Sequence, residues 1–206
     1  MAGWHKATVA LLALSLGAFS EVTMATEEVP YTVERTLESG VEIRRYGDTV
    51  IAQTVIESGT YGDAGNEGFR RLAGYIFGAN HRSDRIAMTA PVGQKIEMTA
   101  PVSQQAGGDQ GWVVRFYMPT GWTLQSLPTP DDERVALVDL PPETVAVVRF
   151  SGDRGTRSIA EHTRRLRATL RAYGFLTIGE PTAWFYDPPW TLPFLRRNEV
   201  AVSIEA

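Results

Sequence analysis

The sequence contains no cysteine, which excludes disulfides, thiolate metal sites and cysteine nucleophiles together. Stability therefore has to come from packing. Lysine is nearly absent: Lys6 and Lys95 are the only two, so arginine carries almost all the positive charge and the guanidinium fork is the available partner for carboxylates. Basic excess is missing too, and a net charge of −4 argues against a nucleic-acid binder. No apolar run is long enough to cross a bilayer comfortably. The longest candidate, Ala7 to Phe19, has thirteen residues, against the roughly 20 a spanning helix needs. Catalytic signatures are absent as well: there is no Gly-x-Ser-x-Gly elbow, no phosphate-cradling Gly-x-x-x-x-Gly-Lys and no His-Glu-x-x-His pair.

What is present begins with an export signal. His5 and Lys6 form a short polar head, Ala7 to Phe19 a small-and-apolar stretch, and Ala18-Phe19-Ser20 or Thr23-Met24-Ala25 a small-residue cleavage site. Residues 1–25 are read as a signal peptide, retained as a membrane anchor if uncleaved, and the mature chain is expected in the periplasm or outside the cell. Residues 26–206, about 180 in number, suit one domain with a sizeable core.

Apolar alternation predicts strands over Tyr31–Leu37, Val41–Tyr46 and Thr49–Ser58, with turns at Ser39-Gly40 and Gly47-Asp48, forming a three-stranded antiparallel start. Phe69, Leu72, Ala73 and Ile76 then recur at helical spacing, with Asp63 or Asn66 as the cap and Gly78 as the stop; Gly62, Gly65 and Gly68 mark the loop entering this helix. A tandem repeat follows. Arg85-Ile-Ala-Met-Thr-Ala-Pro-Val92 is echoed ten residues later by Lys95-Ile-Glu-Met-Thr-Ala-Pro-Val102, read as two strands joined around Gly93-Gln94, with the prolines at strand ends. A glycine-rich loop and a strand over Trp112–Met118 come next.

A coarser repeat organises the whole chain. A strand from Thr144 to Phe150, a turn at Gly152–Gly155, a helix over Ser158–Tyr173 and Gly174 copy Thr49 to Gly78 at an offset of 95 residues at the start and 96 at the end. Ser158 and Glu161 read as a capping box, and Ile159, Leu166, Leu170 and Tyr173 as the buried stripe. Thr182–Tyr186 and Glu199–Ile204 are late strands. The fold class is α+β: a distorted antiparallel β-barrel with two flanking helices, built from two pseudo-symmetric strand-helix-strand halves.

Few residues advertise chemistry. His81 is a solvated loop histidine, His162 sits at the edge of the second helix's buried stripe, and neither has a second ligand at metal spacing, so no metal site is expected. Arg154, Arg157, Arg164, Arg165, Arg167 and Arg171 make the second helix basic, a solvated face first and a weak contact for an anionic membrane or protein second. The run from Trp184 to Phe194 is aromatic and proline-rich. Its aromatics either fill the barrel mouth or, at Trp190 and Phe194, offer a flat wall to a planar ligand, with Arg196 and Arg197 close in sequence. Tyr75 and Glu67 are the only acid–base candidates, and nothing in their spacing pairs them.

Gly68-Phe-Arg-Arg-Leu-Ala-Gly-Tyr-Ile-Phe-Gly-Ala-Asn80, the doubled Met-Thr-Ala-Pro-Val, and Tyr186-Asp-Pro-Pro followed by Arg196-Arg-Asn-Glu-Val200 resemble the SOUL haem-binding family, in its bacterial, exported form. The likeness runs from Tyr31 to Ile204. It implies non-covalent binding of haem or related porphyrins, as carrier or buffer rather than enzyme, in an apolar groove between the first helix and the proline-rich loop. Carried over by motif, the helix supplies Phe69, Arg71, Leu72, Tyr75 and Ile76, with Arg71 placed for a propionate, and the loop supplies Pro188, Pro189, Trp190 and Phe194. No histidine matches an axial ligand, so binding would rest on apolar contact and propionate pairing. The longer Met-Thr-Ala-Pro-Val hairpin would cover or reshape the groove. The alternative is a module for a non-haem small molecule, a lipid or a protein partner on the same fold. A monomer is expected.

Overall fold

The computed structural model describes residues 27–57, 59–97, 111–188 and 190–205. The expected signal peptide, the second Met-Thr-Ala-Pro-Val copy and Pro189 lie outside them. The strands are β1 (Glu27–Glu28), β2 (Tyr31–Thr36), β3 (Val41–Tyr46), β4 (Thr49–Ile56), β5 (Thr89–Ala90), β6 (Val92–Glu97), β7 (Gly111–Tyr117), β8 (Ala136–Leu140), β9 (Glu143–Phe150), β10 (Thr177–Phe185) and β11 (Asn198–Ile204). The helices are α1 (Tyr61–Ile76) and α2 (Thr156–Ala172). None of the described helices is long and apolar enough to cross a membrane.

Nine strands form one antiparallel sheet in the order β2-β3-β9-β11-β10-β6-β7-β4-β8, while β1 pairs in parallel with β5. The sheet is strongly curled, with β2 and β8 at its two edges, so the barrel is a half-barrel. Period-two alternation sorts its side chains. On one face, Val50, Ala52, Val114 and Phe116 meet Leu72, Tyr75 and Ile76 of α1, and Ile43, Val148, Phe150, Val200 and Val202 meet Leu166 and Leu170 of α2. On the other face, Tyr46, Ile51, Tyr117, Val145, Val147, Trp184 and Ala201 form a third cluster.

Several local expectations change. The three-stranded start does not form, because β3 leaves β4 to pair with β9, and β4 pairs with β7 and β8. Gly93-Gln94 is not a turn but the middle of β6, held on both sides by Arg115-Val114 and Trp184-Ala183. The three glycines at 62, 65 and 68 lie inside α1, which starts earlier than its apolar periodicity suggested: Thr60 is the cap, its hydroxyl accepting from the Asp63 N–H at 3.3 Å. In α2 the cap is Gly155, without a side-chain bond, so Ser158 and Glu161 form no capping box; Asp153 accepts from the Gly155 N–H instead. Tyr173 is 37% exposed and lies beneath the Arg35 guanidinium rather than in the buried stripe. β10 starts at Thr177, and its register shift between Ile178 and Thr182 lets Pro181 sit where no ladder bond is needed.

Candidate functional site

Helix α1 lies against the sheet through its smallest residues. A Cβ on Gly68 would come within 2.4 Å of Val114 Cγ2, so the helix backbone rests almost directly on β7. Close approach buries everything on that side. Leu72, Tyr75 and Ile76 are 0–1% exposed, and Tyr75 donates its hydroxyl to the Pro128 carbonyl at 2.9 Å, burial raising its pKa to about 12. These three predicted ligand contacts are therefore core residues. Phe69, 38% exposed, sits at the rim with its ring edge against Phe116. Arg71 is already engaged: it donates to Glu67 at 2.6 Å, to the Thr54 hydroxyl at 2.7 Å and to the Val55 carbonyl. A propionate there would have to displace Glu67.

The proline-rich loop behaves differently. Its ends are pinned: the Asp187 carboxylate accepts from the Arg197 N–H at 2.6 Å, the Pro193 carbonyl from the Gly152 N–H at 2.8 Å, and the Thr191 carbonyl from Arg196 Nε at 2.7 Å. A 3-10 turn over Pro193–Leu195 closes it. Between these ties the loop holds its large apolar side chains in water, with Trp190 83%, Phe194 71%, Leu195 64% and Leu192 55% exposed. Pro188 is exposed too. A pinned backbone under that much exposed apolar surface is a feature of binding surfaces.

The loop's start is met by Arg154, whose position in the sequence suggested the basic face of α2. It stands in the turn before α2, faces the loop, donates to the Asp187 carbonyl at 3.3 Å and lies over the Phe185 ring. Burial lowers its pKa, and the Arg196 charge lowers it further. Tyr61, the first residue of α1, packs its ring edge-on to Trp112, and its buried hydroxyl has no hydrogen-bond partner among the described residues. Burial raises the Tyr61 pKa, and Arg154 offsets part of that rise. No sequence signal marks either residue, because each acquires its role only from a contact between distant segments.

The Arg-Asn-Glu part of the late motif turns inward. Glu199, with no exposed surface, is gripped by Arg44 through two bonds of 2.8 and 3.0 Å, by Arg197 Nε at 3.0 Å and by the Tyr186 hydroxyl at 2.7 Å. Burial works to raise its pKa, but these donors outweigh it and hold the carboxyl below the usual range. Arg197 also reaches Glu28, so β1 is tied to the same network. This is scaffold for the loop rather than a reactive group.

Neither histidine meets the loop. His162 accepts or donates at Nδ1 with the Ser158 carbonyl at 2.8 Å and stacks on Phe150, while His81 is exposed 3.8 Å from Asp131. Among the described residues no cluster of three acidic or histidine side chains could hold a metal ion. A cavity of about 10 Å³ beside Tyr46, Tyr117 and Trp184 and a cleft of about 420 Å³ beside Asp48 and Trp122 both lie away from the predicted site residues. The loop thus offers exposed apolar side chains with the Arg154 guanidinium at its base.

Comparison with known proteins agrees with this architecture. Residues 26–203 match the family model described as SOUL heme-binding protein. Heme-binding protein 2 of Mus musculus is 31% identical over 162 residues, covering 77% of this chain and 75% of that protein; Heme-binding protein 1 of Xenopus laevis is 27% identical over 159 residues, covering 77% and 80%. Among solved structures, the C-terminal domain of EcmrR superposes with a TM-score of 0.56 at 10% identity, over 85% of this chain and 98% of that one. A hydrolase from Listeria innocua does so with a TM-score of 0.56 at 11% identity, over 87% and 100%. At such identities these two share the fold alone. With the family model spanning nearly the whole chain, this protein belongs to the SOUL heme-binding protein family.

Proposed function

We propose that this protein is a carrier or buffer for haem or a related tetrapyrrole outside the cytoplasm, binding it non-covalently against the loop that carries Trp190 and Phe194. The observation that carries the reading is the pinned loop with four large apolar side chains 55–83% exposed. Family membership and the names of the mouse and Xenopus relatives support it. A binding rather than catalytic role is supported by the two acid–base candidates: Glu67 is ion-paired to Arg71, and Tyr75 is buried against a carbonyl.

Titration of residues 26–206 with haemin and with metal-free protoporphyrin tests the reading. Both ligands are expected to saturate near one equivalent with similar affinity and with tryptophan quenching, since apolar contact and not iron coordination supplies the binding. Trp190→Ala should weaken both by about tenfold, the loss of one stacked aromatic being worth about 1–1.5 kcal/mol. Loose, unsaturable association by both would sink the proposal and favour a partner or lipid role for the basic face of α2, where Arg157, Arg164 and Arg165 are exposed.

A further inference from the structure

Two surface features share one corner of the molecule. The Gly152 N–H donates to the Pro193 carbonyl at 2.8 Å and Arg154 to the Asp187 carbonyl at 3.3 Å, so the turn before α2 lies against the proline-rich loop at both of its ends. On the loop side of this seam stand Trp190, Leu192, Phe194 and Leu195, four large apolar side chains within six residues, each more than half exposed. From the other side α2 departs with Arg157, Arg164 and Arg171, seven residues apart and therefore on one line of the helix, over about 21 Å. Leu166 and Leu170 face the sheet, so that line looks outward, and all three arginines are exposed. None of the three makes an ion pair with a described carboxylate, whereas Arg167 on the flank is paired with Glu180 at 2.8 Å. Residues 151–172 hold six arginines against Asp153 and Glu161 in a chain of net charge −4, and the Asp153 carboxylate is turned to the Gly155 N–H.

Apolar side chains held in water beside a row of unpaired cations fit a partner that is apolar in depth and anionic at its face. A lipid bilayer with acidic headgroups is such a partner: exposed Trp and Phe side chains settle at the edge of its acyl layer, and guanidiniums pair with its phosphates. An extended plane also matches a line of charge that long. We propose that this corner docks on an anionic lipid bilayer, with Trp190, Leu192, Phe194 and Leu195 entering the interface and Arg157, Arg164 and Arg171 meeting lipid phosphates. The contact belongs to the ligand-free chain and stands apart from the tetrapyrrole reading.

The test sediments ligand-free residues 26–206, which contain every described element, with vesicles of phosphatidylcholine alone and of phosphatidylcholine and phosphatidylglycerol in equal parts. Binding to the anionic vesicles should be at least about tenfold tighter, each arginine at the surface being worth about fivefold, and raised salt should erase most of the difference. Replacing Arg157, Arg164 and Arg171 together by Gln should bring the two vesicle types within about twofold, while the same change at Arg70, Arg85 and Arg134, exposed elsewhere, should alter binding less than about twofold. Trp190→Ala with Phe194→Ala should weaken anionic binding by about tenfold or more. Trp190 is the one largely exposed tryptophan among the described residues, so vesicles should shift tryptophan emission to the blue, and Trp190→Phe should abolish the shift while keeping most of the binding. Circular dichroism and melting temperature confirm folding of each variant. Equal binding to both vesicle types, binding to neither, an unaffected loop variant, or an equal loss in the control arginine variant would each overturn the proposal; self-association without vesicle binding would assign the corner to a second copy of the chain. Absence of vesicle binding leaves the tetrapyrrole reading standing, and porphyrins that fail to saturate leave the bilayer contact standing.

Discussion

Glu199 shows how much of the late Arg-Asn-Glu-Val motif is structural. A buried ion pair adds little to stability when compared with apolar residues of the same shape, but removing one partner strands the other. Glu199→Gln leaves Arg44, 3% exposed, facing a neutral amide, and should cost about 3–5 kcal/mol of unfolding free energy, measured by urea denaturation at pH 7. The pH dependence has a definite sign. The Glu199 pKa is depressed in the folded state, so its contribution is complete above the unfolded glutamate value of about 4.3 and is lost as pH falls through the folded one. The urea midpoint of wild-type protein should therefore fall more steeply below pH 4.3 than that of Glu199→Gln. Parallel slopes would mean that other carboxylates govern the acid limb. The same network positions the candidate site, since Tyr186 and Arg197, which hold Glu199, bracket the exposed loop.

Helix α1 shows a local rule overridden by packing. Glycine is poor in a helix interior, and Gly→Ala in an isolated helix gains about 1 kcal/mol. At Gly68 the sign should reverse, because the new Cβ would lie 2.4 Å from Val114 Cγ2 and 2.7 Å from its Cβ, on a strand that cannot yield easily. Gly68→Ala should lower the melting temperature, and Val114→Ala in the same chain should recover part of the loss; additive effects in that double-mutant cycle would refute the contact. Gly65 is the milder case, since its added Cβ would meet the end of the Gln94 side chain. From sequence, three glycines at a spacing of three looked like a loop entering a helix, because helix-on-strand packing is invisible without the strand. The apolar stripe of the same helix was legible, as Leu72, Ala73 and Ile76 recur on one face and are buried. Strand β8, none of whose residues is fully buried, carries no sequence signal, because Ala-Leu-Val-Asp-Leu shows no clean alternation.

At the scale of the molecule, the two halves are interleaved. The first is β3-β4-α1-β6-β7 and the second β8-β9-α2-β10-β11, yet β3 pairs with the second half's β9 and β8 with the first half's β4. The halves also share the β6–β10 ladder. Each half alone therefore keeps three contiguous strands, β6-β7-β4 or β9-β11-β10, but lacks the flanking strand that the other half supplies, β8 or β3. We expect a single unfolding transition, coincident by fluorescence and circular dichroism, and expect fragments 27–134 and 135–206 to be unstructured apart and to regain structure when mixed. A folded fragment 27–134 would show that the exchange is not needed. The duplication itself, the α+β class, both helices and the proline-rich loop followed from the sequence alone, since periodicity, glycine stops and repeat offset are local properties of the chain. Strand exchange, the open half-barrel, the burial of Leu72, Tyr75 and Ile76 and the meeting of Arg154 with the loop were decided only by tertiary structure. They depend on which distant strands pair and how closely a helix settles on a sheet, and no pattern within a short window carries that information.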